Sequence, residues 1–149
     1  EEDDMRAVVQ RVTGAELKVN GELISEIGKG LVVFFGVTQG DAEEKADYIA
    51  KKIANLRIFE DENGKMNRSV QDENGEVLFV SQFTLYGDTS HGNRPSFTSA
   101  ARGEVAEPLY DYAASALANF GVPVKKGVFG ADMKICQHND GPVTILLEI

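Results

Sequence analysis

The chain has 149 residues, 42% of them apolar and 26% charged, which suits one globular domain with a core of its own. Its apolar runs all fall well short of the roughly 18 residues that a membrane-spanning helix needs, so the pattern predicts a soluble protein. The net charge of −9, from 15 basic and 24 acidic residues, excludes a broad, salt-driven grip on nucleic-acid backbone, so any nucleic-acid partner must be touched locally.

The opening EEDD has neither a basic segment nor an apolar stretch, so it reads as no secretory signal. Met5 reads as the natural start of a single domain over 5–149, with residues 1–4 an extension or a cloning remnant. RAVVQRV and then AELKVNGELISEIG read as strands, with Asn20-Gly21 as a two-residue hairpin turn. GLVVFFGV, residues 30 to 37, is a continuous apolar run short enough to be a central strand buried on both faces. Asp41 followed three residues on by Glu44 predicts a capping box, and Ala42, Ala46, Ile49, Ala50, Ile53 and Leu56 recur at helical spacing. The tetrapeptide DENG occurs at Asp61 and again at Asp72, and both copies read as turns.

EVLFVSQFTLYGD then reads as a strand, followed by a polar loop, TSHGNRPS, of the kind that carries function on a rigid scaffold. A second helix is expected over Glu104 to Asn119, with Val105, Leu109, Tyr112, Ala116 and Leu117 on its buried face and Gly121 as its stop. The remainder reads as two or three strands broken at Gly127, Gly130 and Gly141. Strands, helix, strands, helix and strands without linkers indicate one mixed α/β domain.

Cys136 alone allows no internal disulfide, and with His91 and His138 it makes no usual structural zinc set. No metal or cofactor is therefore expected, and a reducing compartment, most simply the cytoplasm, fits the single thiol. Lys51-Lys52, Lys65 to Arg68 and Lys125-Lys126 read as solvated faces.

Two stretches bear on chemistry. In a regular strand, Ser81, Phe83 and Leu85 of SQFTL would share one face and Gln82 and Thr84 the other. These polar groups are either structural knots or the floor of a site, and a regular strand would keep Ser81 and Thr84 from acting as a pair. No G-x-S-x-G elbow is present, and both histidines sit in loop-like contexts, so a conventional triad finds no support. Hydrolysis here would rest on backbone amides or on the substrate's own groups. In NDGPVT, Gly141-Pro142 reads as a turn, with Asn139 and Asp140 bonding back to the backbone. Its peptide bond is of the one kind that adopts cis at small cost.

Together SQFTLYGD, NDGPVT, MRAVVQRV, LRIFEDENGKMNRSV, RPSF and FGADMKI resemble, in order and over residues 5 to 149, the D-aminoacyl-tRNA deacylase family of bacteria and eukaryotes. That resemblance implies a homodimer with a rolled, barrel-like β-sheet and two main helices packed outside. It implies hydrolysis of the ester joining a D-amino acid, or mischarged glycine, to the terminal adenosine of tRNA. Gly141-Pro142 would be a cis dipeptide inserted into the partner subunit's pocket to reject L side chains. Ser81, Gln82, Phe83 and Thr84 would form the facing wall, with the Phe83 amide meeting the ester or the substrate's amino group and Thr84 a candidate nucleophile. Phe129 and Met133 would accept the terminal adenine, Arg11 would orient the Gly-Pro carbonyls, and Asn139 would support them. Phe83 and the plain NDGPVT separate the chain from a related animal enzyme of relaxed chirality. The rivals are a non-catalytic dimeric module that binds nucleic-acid ends, and a small-molecule esterase, for which the sequence offers no nucleophile and base.

Overall fold

The computed structural model describes residues 4–149, so most of the expected 1–4 extension lies outside the described residues. Strands β1 (Arg6–Val19) and β2 (Glu22–Ile27) form the expected hairpin, with Asn20 and Gly21 both at positive φ, 52° and 80°. Strand β3 (Gly30–Gly36) is central in the sheet order β2-β1-β3-β6-β7, as its continuous apolar run predicts. Strand β6 (Glu76–Ser81) lies parallel to β3, and β7 (Val124–Lys126) parallel to β6. A separate two-stranded ladder joins β4 (Phe59–Glu60) to β5 (Met66–Arg68), and both DENG copies form turns. The last strand, β8 (Lys134–Glu148), pairs antiparallel with almost the whole of β1.

Side-chain alternation divides the interior in two. Leu31, Val33 and Phe35 of β3, with Val77 and Phe79 of β6, face helices α1 (Glu43–Asn55) and α2 (Gly103–Ala118) in the larger core. Val32, Leu78 and Val80 face the other way and meet Val12, Leu17 and Ile27 in a smaller core inside the rolled sheet. Each such fully buried side chain contributes about 1.5–3 kcal/mol. The sheet's far edges, β2 and β7, are stitched by side chains: Ser25 Oγ donates to the Lys126 carbonyl at 2.6 Å, and Lys125 Nζ to the Glu26 carbonyl at 2.8 Å. The architecture is a single mixed α/β domain, a nearly closed, barrel-like sheet with two helices outside.

Three local expectations are corrected. The capping box at Asp41 does not form. Helix α1 begins at Glu43 with no side-chain cap, because the Asp41 carboxylate accepts the Thr38 amide at 2.8 Å and faces Lys45 Nζ at 3.3 Å. Burial pushes the Asp41 carboxyl above the usual range, against the pull of those two partners. The buried face of α2 is Ala106, Leu109, Tyr110, Ala113, Ala114 and Leu117, turned from the expected one, with Val105 exposed. Tyr110 takes the inward place because its ring stacks on Phe79 and its hydroxyl finds the Phe79 carbonyl at 2.6 Å. Gly141 breaks nothing: β8 runs through it as one strand, and His138 pairs with Gly14 within that strand.

Candidate active site

The regular strand expected through SQFTL stops at Ser81. Gln82 N–H donates to the Phe35 carbonyl at 2.8 Å as the final bond to β3, and Phe83–Tyr86 then close a single 3-10 turn. The cause lies in Tyr86, whose buried hydroxyl donates to the carbonyls of Asp4 and Gly36, at 2.6 and 3.0 Å. Gly36 leaves room for this turn, since a Cβ there would sit 2.8 Å from the Tyr86 ring and 3.3 Å from the Gln82 carbonyl. The opposite-face argument for Ser81 and Thr84 therefore fails with the strand on which it rested.

The turn forms one wall of a cavity of about 480 Å³ that Ser81, Gln82, Phe83 and Thr84 line together with Phe129 and Met133. Val80 and Phe34 supply its apolar base, and Ala101 and Gly103, at the start of α2, its far side. Gln82 Nε2 donates to Thr84 Oγ1 at 2.9 Å, which leaves the hydroxyl hydrogen of Thr84 to point elsewhere. Neither His91 nor His138 lines the cavity, so Thr84 has no imidazole base there. The Phe83 backbone N–H makes no hydrogen bond among the described residues. The Phe83 ring is half exposed and packs edge-on against Phe97 at 5.2 Å, and Phe129 leans on Tyr110 at 6.1 Å.

The second constellation lies elsewhere on the chain. Along β1, Gln10 pairs with Thr144 and Val12 with Asn139, so residues 140–143 of β8 face Arg11 alone and bulge from the ladder. Gly141 and Pro142 ride on this bulge, exposed, joined by a cis peptide bond, with Gly141 at φ 123°. No β-carbon fits there without displacement, because it would meet Arg11 Nη2 and Val143 Cγ2, each at 3.0 Å. Arg11 is 6% exposed. Its Nε donates to the Asp140 carbonyl at 3.1 Å and its Nη1 to the Ile58 carbonyl at 2.7 Å. The guanidinium thus grips the bulge one residue before Gly141 and not by the Gly-Pro carbonyls themselves.

Asn139 is not in the cavity wall of its own chain, and neither it nor Asp140 caps a backbone amide as a turn residue would. Instead Gln137 Nε2 donates both to Asn139 Oδ1, at 2.6 Å, and to Gln10 Oε1, at 2.7 Å, while Gln10 Nε2 reaches Thr144 Oγ1 at 3.3 Å. This chain of amides spans the two roots of the bulge. The sequence reading missed Gln10 and Gln137, and their alternation with the residues facing the core was the available signal. Among the described residues, no group of three or more His, Cys, Asp or Glu is arranged to hold a metal ion.

A family model described as D-Tyr-tRNA(Tyr) deacylase matches residues 8–148. The D-aminoacyl-tRNA deacylase of Limosilactobacillus reuteri (strain DSM 20016) is 54% identical over 144 residues, covering 97% of this chain and 99% of that protein. The enzyme of the same name from Syntrophomonas wolfei is also 54% identical, over 97% of each chain. A solved structure described as c-Myc DNA Unwinding Element Binding Protein superposes with TM-score 0.92 at 46% identity, over 97% of this chain and 99% of that one. A probable eukaryotic D-amino acid tRNA deacylase, TM-score 0.82 at 18% identity over 97% and 99%, shares the fold. With its signature segments, its rolled sheet and a match over nearly its full length, the chain belongs to the D-Tyr-tRNA(Tyr) deacylase family.

Proposed function

We propose that this deacylase cleaves the ester between a D-amino acid, or mischarged glycine, and the 3′-terminal adenosine of tRNA, as a cytoplasmic homodimer. The observation that carries the reading is the Phe83 N–H, unengaged among the described residues, in the turn that walls a cavity of mixed polar and apolar lining. An amide in that state is suited to a developing oxyanion, because it needs no rearrangement when charge appears. The terminal adenine lies against Phe129 and Met133, where an aromatic ring and a polarizable thioether suit a base. The adenosine's free vicinal hydroxyl directs water onto the ester carbonyl. Water adds, the carbonyl oxygen takes the charge beside Phe83 N–H, and collapse expels the ribose oxygen, which leaves with a proton. Thr84 is not the nucleophile in this route, consistent with its hydrogen bond from Gln82 and the absence of a nearby imidazole.

Selectivity comes from the second subunit. Within one chain Gly141-Pro142 is not among the residues lining the cavity, and it is exposed on a bulge held from behind by Arg11. Placed in the partner's cavity, its carbonyls occupy the space an L side chain requires and leave a D side chain or glycine untouched.

The alternative is a non-catalytic dimeric module for nucleic-acid ends, favoured by the 46% identity to a DNA unwinding element binding protein and disfavoured, for duplex DNA, by the charge of −9. Release of D-tyrosine and L-tyrosine from their tRNA esters separates the readings. Rapid D-release with little L-release is expected. Equal rates would remove the filter, and tight binding without any release would establish the module.

A further inference from the structure

A chain of net charge −9 that handles a polyanion needs specific cations free to meet it, and the hydrogen-bond pattern narrows them down. Of the 15 Lys and Arg residues, Lys29, Lys45, Arg68, Lys126 and Lys134 are paired with carboxylates. Arg11, buried in the bulge, also faces the Asp140 carboxylate at 3.5 Å, and Arg6, Arg57 and Lys125 donate to backbone carbonyls. Lys52 lies over the Tyr48 ring on the outer side of α1, next to Lys51. Lys125 and Lys126 are exposed, as the sequence suggested, but their ammonium groups are engaged by the Glu26 carbonyl and by Asp111. Among the described residues Lys18, Lys51, Lys65, Arg94 and Arg102 have neither an ion pair nor a side-chain hydrogen bond, and all five are exposed; of these, Arg102 alone adjoins residues that line the cavity, and Arg94 lies on the same segment.

Both arginines sit on one segment, whose end at Ala101 and Gly103 lines the cavity. Arg102 lies between Ala101 and Gly103, which line the cavity, and Arg94 lies three residues before Phe97, which packs on Phe83. The segment is anchored: Ala101 N–H donates to the Val37 carbonyl at 2.9 Å, Gln39 N–H to the Ser99 carbonyl at 3.3 Å, and Ser96 N–H to the Asp88 carbonyl at 2.9 Å. Planar, permanently charged guanidiniums on fixed backbone are suited to phosphate oxygens.

We infer that Arg94 and Arg102 form a phosphate-binding rim that holds the backbone of the single-stranded RNA end as its terminal adenosine enters the cavity. The inference rests on the proposed function and specifies how the substrate is gripped. It gives an acidic protein a local contact with RNA: two phosphodiesters at the mouth and none along a duplex.

The test compares wild type with the Arg94→Gln, Arg102→Gln double variant on two substrates, D-tyrosyl-tRNA and the D-tyrosyl ester of adenosine, which has no phosphate. For the tRNA ester, KM is expected to rise about tenfold at low salt with kcat retained, and the slope of log(kcat/KM) against log[salt] to become shallower by about 1.4, about 0.7 per lost single-strand phosphate contact. Hydrolysis of the adenosine ester should be unchanged, as should both substrates with Lys51→Gln, Lys52→Gln. An unchanged KM and slope, or an equal loss on both substrates, would overturn the inference. A wild type that hydrolyses neither ester would refute the functional reading instead. The rim is then judged by the affinity of a short single-stranded RNA ending in adenosine: a weaker, less salt-sensitive complex for the double variant supports it, and equal affinity rejects it.

Discussion

The cavity and the Gly-Pro bulge are built on opposite logics. The cavity wall is a place where backbone is left unpaired: β6 ends at Ser81, a 3-10 turn follows, and Phe83 N–H has no partner among the described residues. The bulge is a place where an interrupted ladder is braced by side chains: Arg11 takes the carbonyls of Asp140 and Ile58, and the Gln137–Gln10 chain ties Asn139 to Thr144. One region offers a donor and the other a rigid, exposed edge. A receptive site can leave hydrogen bonds unmade in its apolar hollow, whereas a projecting filter must be held still from within.

The sharpest way to break this contrast is to delete the donor, with Phe83→Ala, which keeps the amide and loses the ring packed on Phe97, as the control. Phe83→Pro removes the amide hydrogen, and the fold tolerates it because Phe83 is the first residue of its turn and Gln82, at φ −146° and ψ 95°, is already outside the helical region that proline disfavours before it. Turnover of D-aminoacyl-tRNA should fall by about 100- to 1,000-fold, with the unfolding midpoint nearly unchanged. On the bulge, Gly141→Ala forces a β-carbon against Arg11 and Val143 at a φ that side chains avoid, and the displaced edge should cost about 100-fold in kcat/KM. Full activity in that variant would remove the dipeptide from the mechanism.

Arg11→Ala attacks the brace. It leaves two carbonyls without their charged donor in a nearly closed space, which should cost about 3 kcal/mol, read as a fall of about 10 °C in Tm. Gln137→Ala removes only the neutral tie, costing about 1 kcal/mol, and its diagnostic is a smaller ratio of D- to L-tyrosine release. Thr84→Ala should change kcat by less than about threefold, because the proposed route gives its hydroxyl the part of a hydrogen-bond partner and not of a nucleophile. An inactive, folded Thr84→Ala would restore covalent catalysis.

Much of the fold was legible in the chain. The Asn20-Gly21 hairpin, the buried run at 30 to 37 and the α1 face follow from turn chemistry and periodicity, which are local. The rest depended on partners distant in sequence. SQFTL has a strand's composition, but Tyr86 reaches Asp4 and Gly36 and turns the chain. Gly141-Pro142 has a turn's composition, but β1 pairs on both sides of it and carries the strand through. Asp41 matches a capping box, but Thr38 and Lys45 claim its carboxylate. The site residues themselves were named by resemblance; periodicity alone left SQFTL between structure and function.

The central claim is that donor and filter of each working site come from different chains. Co-expressed Phe83→Pro and Gly141→Ala subunits test it, since each homodimer carries one defect in both sites while a mixed dimer regains one intact site. Random pairing then predicts about a quarter of wild-type D-aminoacyl-tRNA hydrolysis, and a mixture as inactive as its parents would contradict the account.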